Sequence, residues 1–316
     1  MDAEGKSCFI LICGPTAVGK TELSLRLAQD LSWPIFNFDS LQVYKELNIG
    51  SSKPTVEERS LAPHFLFDYV SPPQKLSVAQ YLKDLKVIFE KKSVVNGIFV
   101  GGSGFYWQAI EKGLYPGAET PNEVRKEVEE WIQTKGYSFL YDWMQKRDPN
   151  AAEKISVNDH YRIKRSVEIL KSQNRNLADL QKEVDQEKTE SLILPPHHLL
   201  KIGVRCERDE LKKRARQRTQ KMLEQGFVQE VQKLLDQGLH DWSPLQSVGY
   251  KEVFQFLKDE RVDQNELQEQ IVTGTMQLAK KQMTWFKRDA EILWFEWDKV
   301  DEIPQKALAW YQLQNP

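Results

Sequence analysis

Residues 8–31 read CFILICGPTAVGKTELSLRLAQDL, and the fold is decided in this stretch. Cys8 to Cys13 is a short apolar run that stops at Gly-Pro, the pattern of a buried strand. Leu23, Leu27 and Leu31 then recur at helical spacing, so a helix is expected over residues 20–31. Between the two, Gly14-Pro15-Thr16-Ala17-Val18-Gly19-Lys20-Thr21 fits GxxxxGK[ST]. The glycines let the backbone curl so that several N–H groups converge on one phosphate chain, and the helix that follows presents its positive end to the same anion. Lys20 supplies charge to the terminal phosphates, and the Thr21 hydroxyl suits Mg²⁺. The loop specifies a polyphosphate or diphosphate without specifying ATP.

Outward from this unit, Ile35–Phe38, 94–100, 199–204 and 292–295 read as further strands, and helical stretches separate most of them. Strands alternating with helices predict an α/β fold, a parallel sheet with helices on both faces. In such sheets ligands sit beyond the carboxyl ends of the strands, where Gly14, Asp39 and the Gly101–Gly104 turn all fall. From Pro116 to about Val157 the pattern carries helices and no strand, so it reads as an insertion. Thr120 is expected to cap its first helix, with Pro121 at the first helical position and Glu123 closing a capping box. That helix should end near Thr134, with a second helix from Gly136 toward Arg147. The His197-His198 pair after Pro195-Pro196 is expected in a loop. After Arg208 the chain should be largely helical until Leu293.

Charged residues make up 28% and hydrophobic residues 40% of the 316, the mix of a water-soluble globular protein, and no apolar run is long enough to span a bilayer. The first residues, MDAEGKS, lack the basic-then-apolar order of a secretion signal, and Cys8, Cys13 and Cys206 form no CxxC pair. A cytoplasmic monomer with no membrane association is expected. The net charge of −2 does not announce a nucleic-acid partner, but nine Lys or Arg stand against three acids between Lys201 and Lys221. Arg162, Lys164, Arg165, Lys171 and Arg175 form a second basic cluster, and Lys280, Lys281, Lys287 and Arg288 a third. Each cluster is compatible with a solvated helix face; three together suit a phosphate-rich partner.

Asp39, at the tip of the second strand, has three open roles: a salt-bridged structural acid, a Mg²⁺ ligand, or a general base beside the phosphate loop. Gly101-Gly102-Ser103-Gly104 is a strand-to-helix turn whose spacing does not fit GxGxxG. Asn158 or Asp159 should cap a helix on which Arg162 and Arg165 share a face. Paired guanidinium groups there suit phosphate oxygens, and an ion pair with Glu168 is the plainer alternative. Gln246-Ser247-Val248-Gly249-Tyr250-Lys251 combines a glycine, an aromatic and a cation suited to an RNA strand.

Taken in order, GPTAVGKT at 14–21, DSLQVYKELNIGSSKP at 39–54, APHFLFD at 62–68, GGSGFYWQAI at 101–110, DPNAAEKISVNDHYRIKRSVEIL at 148–170, SVGYKE at 247–252 and QLAKKQMTWFKR at 277–288 resemble the bacterial tRNA dimethylallyltransferases, the tRNA isopentenyltransferase family. The resemblance covers residues 8–290. It implies a phosphate-loop core related to small-molecule kinases over residues 1–115 and 158–316, with a helical insertion at 116–157 that grips the anticodon stem. It implies transfer of a dimethylallyl group from dimethylallyl diphosphate to N6 of the adenosine 3′-adjacent to the anticodon. Residue by residue, it implies Asp39 as the base, Thr21 beside the bridging oxygen and Mg²⁺, and Gly14 to Thr21 with Arg162 around the diphosphate. It also implies tRNA contacts at Asp39, Ser40, Leu41, Gln42, Ser103, Arg125, Tyr161, Arg162, Ile163, Lys164, Arg165, Gln246, Ser247, Val248, Gly249, Tyr250 and Lys251. The sequence departs from the family pattern at Val157 (usually proline), Ser103 (usually threonine) and Lys281 (usually arginine); none removes a proposed catalytic group.

The residue types suit that chemistry. The adenine amine is a poor nucleophile because its lone pair is delocalised, so a placed carboxylate that takes its proton contributes about 10²–10⁴ in rate. Cations and backbone N–H groups around the diphosphate stabilise charge as it develops on the leaving oxygen. Two other readings of the loop are an adenylate isopentenyltransferase acting on free nucleotide and an ATP-dependent small-molecule kinase. Both leave the insertion and the SVGYKE segment unexplained.

Overall fold

The first apolar run forms the strand Ser7–Cys13 (β1), with every residue buried. The computed structural model describes residues 6–92, 94–114, 120–180, 193–259 and 261–314. Beside β1 lie Asn96–Val100 (β4) on one edge and His197–Arg205 (β5) on the other. Ile35–Asn37 (β2), His64–Phe65 (β3) and Leu293–Glu296 (β6) complete a six-stranded sheet in the order β3-β2-β4-β1-β5-β6. Every ladder is parallel. A central parallel strand is covered on both faces, so its sequence must be apolar throughout rather than alternating. The two faces of β1 show this: Cys8, Ile10 and Ile12 join a core with Leu23, Leu25 and Leu27 of helix Lys20–Leu31, while Phe9 meets Phe89 of helix Val78–Lys92 edge-on at 5.6 Å. The α/β sheet with helices on both faces is therefore present as expected.

The structure departs from the sequence reading in places with identifiable causes. The two-residue strand β3 was not anticipated, because so short a run carries no periodicity of its own. His197 and His198 open β5 instead of lying in a loop. They pair with Ser7 and Cys8, and the His197 ring packs against Phe9 at 5.8 Å, so the neighbouring strand extends the ladder through them. Among the described residues, no helix is long and apolar enough to cross a membrane.

The chain divides into two compact units, residues 1–107 with 194–316, and residues 108–193. The second holds helices Asn122–Arg147, Pro149–Lys154 and His160–Gln173. Its core is Val128, Leu140, Met144, Ala152, Ile163, Val167 and Leu170. Helix His160–Gln173 thus packs with the insertion helices, and this unit runs past residue 157. The expected boundary at 115/116 lies outside the described residues. Gly136 breaks the long helix with φ 77° and ψ 176°, at the position where two helices were expected to meet. The Thr120 cap does not form. Pro121 occupies the cap position with no side-chain bond, and the Thr120 hydroxyl accepts from Arg165 Nη1 at 2.6 Å instead.

Candidate active site

The carboxyl ends of β1, β2 and β4 open into a cavity of about 850 Å³. The loop after β1 forms one wall. Gly14 (φ 141°), Ala17 (φ 67°) and Gly19 (φ 100°) turn its backbone through left-handed conformations, curling the chain before helix Lys20–Leu31 begins. Lys20 folds back over the loop, its Nζ donating to the carbonyls of Gly14 (3.1 Å) and Pro15 (2.8 Å). Surrounding protein strips solvent from this ammonium and pushes its pKa down to about 8, with Asp39 acting in the opposite direction.

Two arginines that sequence reasoning did not single out stand over the same loop. They come from helix Arg208–Glu224, four residues apart and therefore on one face. Arg214 Nε donates to Ala17 O at 3.0 Å, and Arg218 Nη1 donates to Thr16 Oγ1 at 2.9 Å. Both line the cavity. Burial lowers the pKa of Arg218, and Asp39 counteracts it. The signal was available: the basic cluster at 201–221 contains this i, i+4 pair, but without the sheet nothing told which of its nine cations face inward.

Asp39 follows β2 at the mouth of the cavity. Its N–H donates to Asn37 Oδ1 (2.8 Å), and its own Oδ1 accepts from Leu41 N (2.9 Å). The next residue, Ser40, donates its N–H to Ser103 Oγ at 3.1 Å, so the glycine turn after β4 buttresses this turn. Among the described residues Asp39 forms no salt bridge, which removes the structural ion-pair reading. Its field nevertheless reaches both Lys20 and Arg218. An acid and a cluster of cations thus face one another across one space.

The far wall is the segment 41–54. Gln42 Nε2 donates to Ser51 O (3.1 Å) and Ser52 O (3.0 Å), so its amide braces the loop. The buried Lys53 bonds Tyr44 O (2.6 Å), Asn48 Oδ1 (2.8 Å) and Asp68 Oδ1 (2.8 Å). Glu230 accepts from the N–H groups of Asn48, Ile49 and Gly50 at 3.0, 2.8 and 3.2 Å. None of these bracing roles was read from the sequence.

The structure brings Thr16, Ala17, Gly19, Lys20, Thr21, Asp39, Leu41, Gln42, Val248 and Gly249 to this cavity. Two expected surface residues are corrected. Tyr250 is fully buried with its hydroxyl on Glu230 Oε1 at 2.7 Å, and Ile163 is fully buried in the second unit, so neither side chain presents a surface to RNA. Gln246 is exposed, Ser247 half-buried, and Lys251 Nζ lies 3.4 Å from Glu252. In the second unit, Arg125 and Tyr161 are exposed, and Lys164 pairs with Glu129. Arg162 is also exposed and pairs with Asp159, the helix cap, at 3.4 Å. Arg165 pairs with Glu168 at 2.9 Å, the alternative to phosphate binding that the sequence left open.

For a divalent cation, the cavity offers the Thr21 hydroxyl and the Asp39 carboxylate. These are hard oxygen donors of the kind Mg²⁺ prefers, so the residues present fit that ion.

A family model described as IPP transferase matches residues 42–289, and one described as isopentenyl transferase matches residues 8–69. A tRNA dimethylallyltransferase of Bdellovibrio bacteriovorus is 43% identical over 293 residues, covering 92% of this chain and 94% of that protein. Another, from Syntrophus aciditrophicus, is 36% identical over 96% of both chains. Among solved structures, the tRNA isopentenylpyrophosphate transferase of Bacillus halodurans superposes with a TM-score of 0.69 at 30% identity, covering 98% of each chain. A eukaryotic dimethylallyltransferase acting on tRNA shares the fold with a TM-score of 0.78 at 23% identity, over 98% of this chain and 81% of that one.

Proposed function

This chain belongs to the IPP transferase family, and from that premise we propose that it transfers a dimethylallyl group from dimethylallyl diphosphate to N6 of the adenosine 3′-adjacent to the anticodon of tRNA, releasing diphosphate. As a member of that family it is a prenyltransferase that modifies adenosine in tRNA. The observation that carries the finer reading is the cavity in which Lys20, Arg214 and Arg218 face Asp39.

The leaving group develops negative charge on its bridging oxygen as the allylic C–O bond breaks. Lys20, Arg214 and Arg218 supply positive charge there, in a partly desolvated space where it acts more strongly than in water. Mg²⁺, held by the Thr21 hydroxyl and by the diphosphate, would add charge to the same oxygens. Asp39 accepts the proton of the adenine amine as nitrogen attacks the allylic carbon. Its turn, held by Leu41 N and by Ser103 through Ser40, keeps the carboxylate oriented for that transfer. The adenine must leave the anticodon stack to reach Asp39. Exposed Arg125, Tyr161, Arg162 and Gln246 with Lys164 and Lys251 are the proposed tRNA contacts, and the second unit is the proposed grip on the anticodon stem. A cytoplasmic monomer is the proposed acting form.

Labelled dimethylallyl diphosphate offered with Mg²⁺ and tRNA, AMP or ATP plus nucleosides should label tRNA alone. Label on AMP, or phosphate transfer from ATP, overturns the reading. Asp39→Asn should cut transfer by at least about 10² while tRNA affinity stays within about twofold; near-normal turnover would remove the base from Asp39.

A further inference from the structure

The run QLAKKQMTWFKR at 277–288 has no part in the chemistry above, yet one of its side chains touches two walls of the cavity. Gln282, near the end of helix Gln264–Phe286, accepts from Thr16 N at 2.8 Å through Oε1 and donates from Nε2 to Gly102 O at 3.1 Å. Both partners are backbone groups with one possible sense, so the amide orientation is forced. One planar group therefore ties the phosphate loop to the glycine turn after β4.

The contact is close. A Cβ at Gly102 would lie 2.3 Å from Gln282 Nε2. Three residues along the same helix face, Trp285 presses on the turn, and a Cβ at Gly104 would lie 2.1 Å from its ring. The turn between these glycines carries Ser103, whose hydroxyl holds Ser40, beside Asp39. Thr16 is gripped from the other side by Arg218. A continuous set of bonds thus runs from the anion cradle through Gln282 and the glycine turn to the turn that bears the base.

We propose that Gln282 is a positioning residue for prenyl transfer: its amide locks the cradle and the glycine turn in one register and so sets the separation between the departing diphosphate and Asp39. This rests on the prenyl-transfer reading above. Transfer demands that nitrogen, allylic carbon and leaving oxygen align at once, and a shift of about 1 Å in such an arrangement costs on the order of 10² in rate. An ionised carboxylate in place of the amide accepts from Thr16 but faces the Gly102 carbonyl with a lone pair.

The test compares wild type, Gln282→Met and Gln282→Glu in steady-state transfer to tRNA, with thermal unfolding of each. Gln282→Met should lower kcat on the order of 10² while KM for tRNA stays within about twofold. Gln282→Glu, the same shape but with a lone pair facing the Gly102 carbonyl, should lower kcat by at least about tenfold with KM for tRNA again within about twofold. Wild-type kcat in Gln282→Met or in Gln282→Glu, or an effect confined to KM for tRNA, would each overturn the proposal. Loss of cooperative unfolding in both variants would overturn it too, making Gln282 a folding residue. Failure of the wild type itself to label tRNA would instead refute the prenyl-transfer reading.

Discussion

Lys20 illustrates how one residue's chemistry depends on its surroundings. Its motif announces a cation, but burial lowers its pKa to about 8. As pH rises through that value the ligand-free enzyme loses the charge that draws in the diphosphate. The Kd for inorganic diphosphate, measured by calorimetry, should therefore climb toward about tenfold per pH unit above about pH 8, relative to Lys20→Gln, which lacks the titrating group. Equal slopes in the two proteins would remove Lys20 from that role. Arg218 and Arg162 allow a second comparison. Arg218→Gln should raise KM for dimethylallyl diphosphate or lower kcat by at least about tenfold, because it removes a partly desolvated charge aimed at the cavity. Arg162→Gln should act mainly on tRNA affinity if its exposed position reflects its work, whereas a defect confined to the diphosphate would restore the role expected from sequence. The motif at 14–21 and Asp39 were legible because their chemistry is local. Arg214, Arg218 and Gln282 were not, because each acts on a loop roughly 200 residues or more away along the chain, as the Arg218–Thr16 bond across 202 positions shows.

At the scale of elements, one carboxylate of helix Phe227–Asp236 gathers the backbone N–H groups of segment 48–50, which also packs against Phe227. Glu230 takes three successive backbone N–H groups and the Tyr250 hydroxyl. Bonds to a charged acceptor contribute more than neutral ones, so Glu230→Ala should destabilise the protein by about 2–3 kcal/mol in urea unfolding. Combined with Tyr250→Phe it should show a coupling above about 0.5 kcal/mol; additive losses would mean that the two groups do not act together. Periodicity located β1, β2, β4, β5 and β6 because each carries a run of apolar residues. It missed β3, which borrows its order from β2, and it placed His197-His198 outside a strand, because a histidine pair after two prolines carries no apolar pattern. Thr120 shows the reverse failure. Its local cap signal was sound, but the guanidinium of Arg165 on a neighbouring helix claims the hydroxyl.

Across the whole molecule, the chain alternates between two separately packed units, and this should be visible in exchange. Met144→Ala removes a fully buried side chain from the core of the unit at 108–193 and should cost about 2–5 kcal/mol there. Amide exchange should accelerate across residues 120–180 while β1 and β4 stay protected; equal acceleration in the strands would mean that the units unfold as one. The sequence by itself determined the parallel sheet, the phosphate loop and the acid at the tip of β2, since buried strands, helix faces and tight turns are written in residues adjacent along the chain. The tertiary structure decided which cations face the cavity, which residues of the SVGYKE and Arg162 segments are buried, and that Gln282 joins the cradle to the glycine turn. Those outcomes depend on side chains meeting across distant parts of the chain, and spacing along a sequence does not encode such meetings.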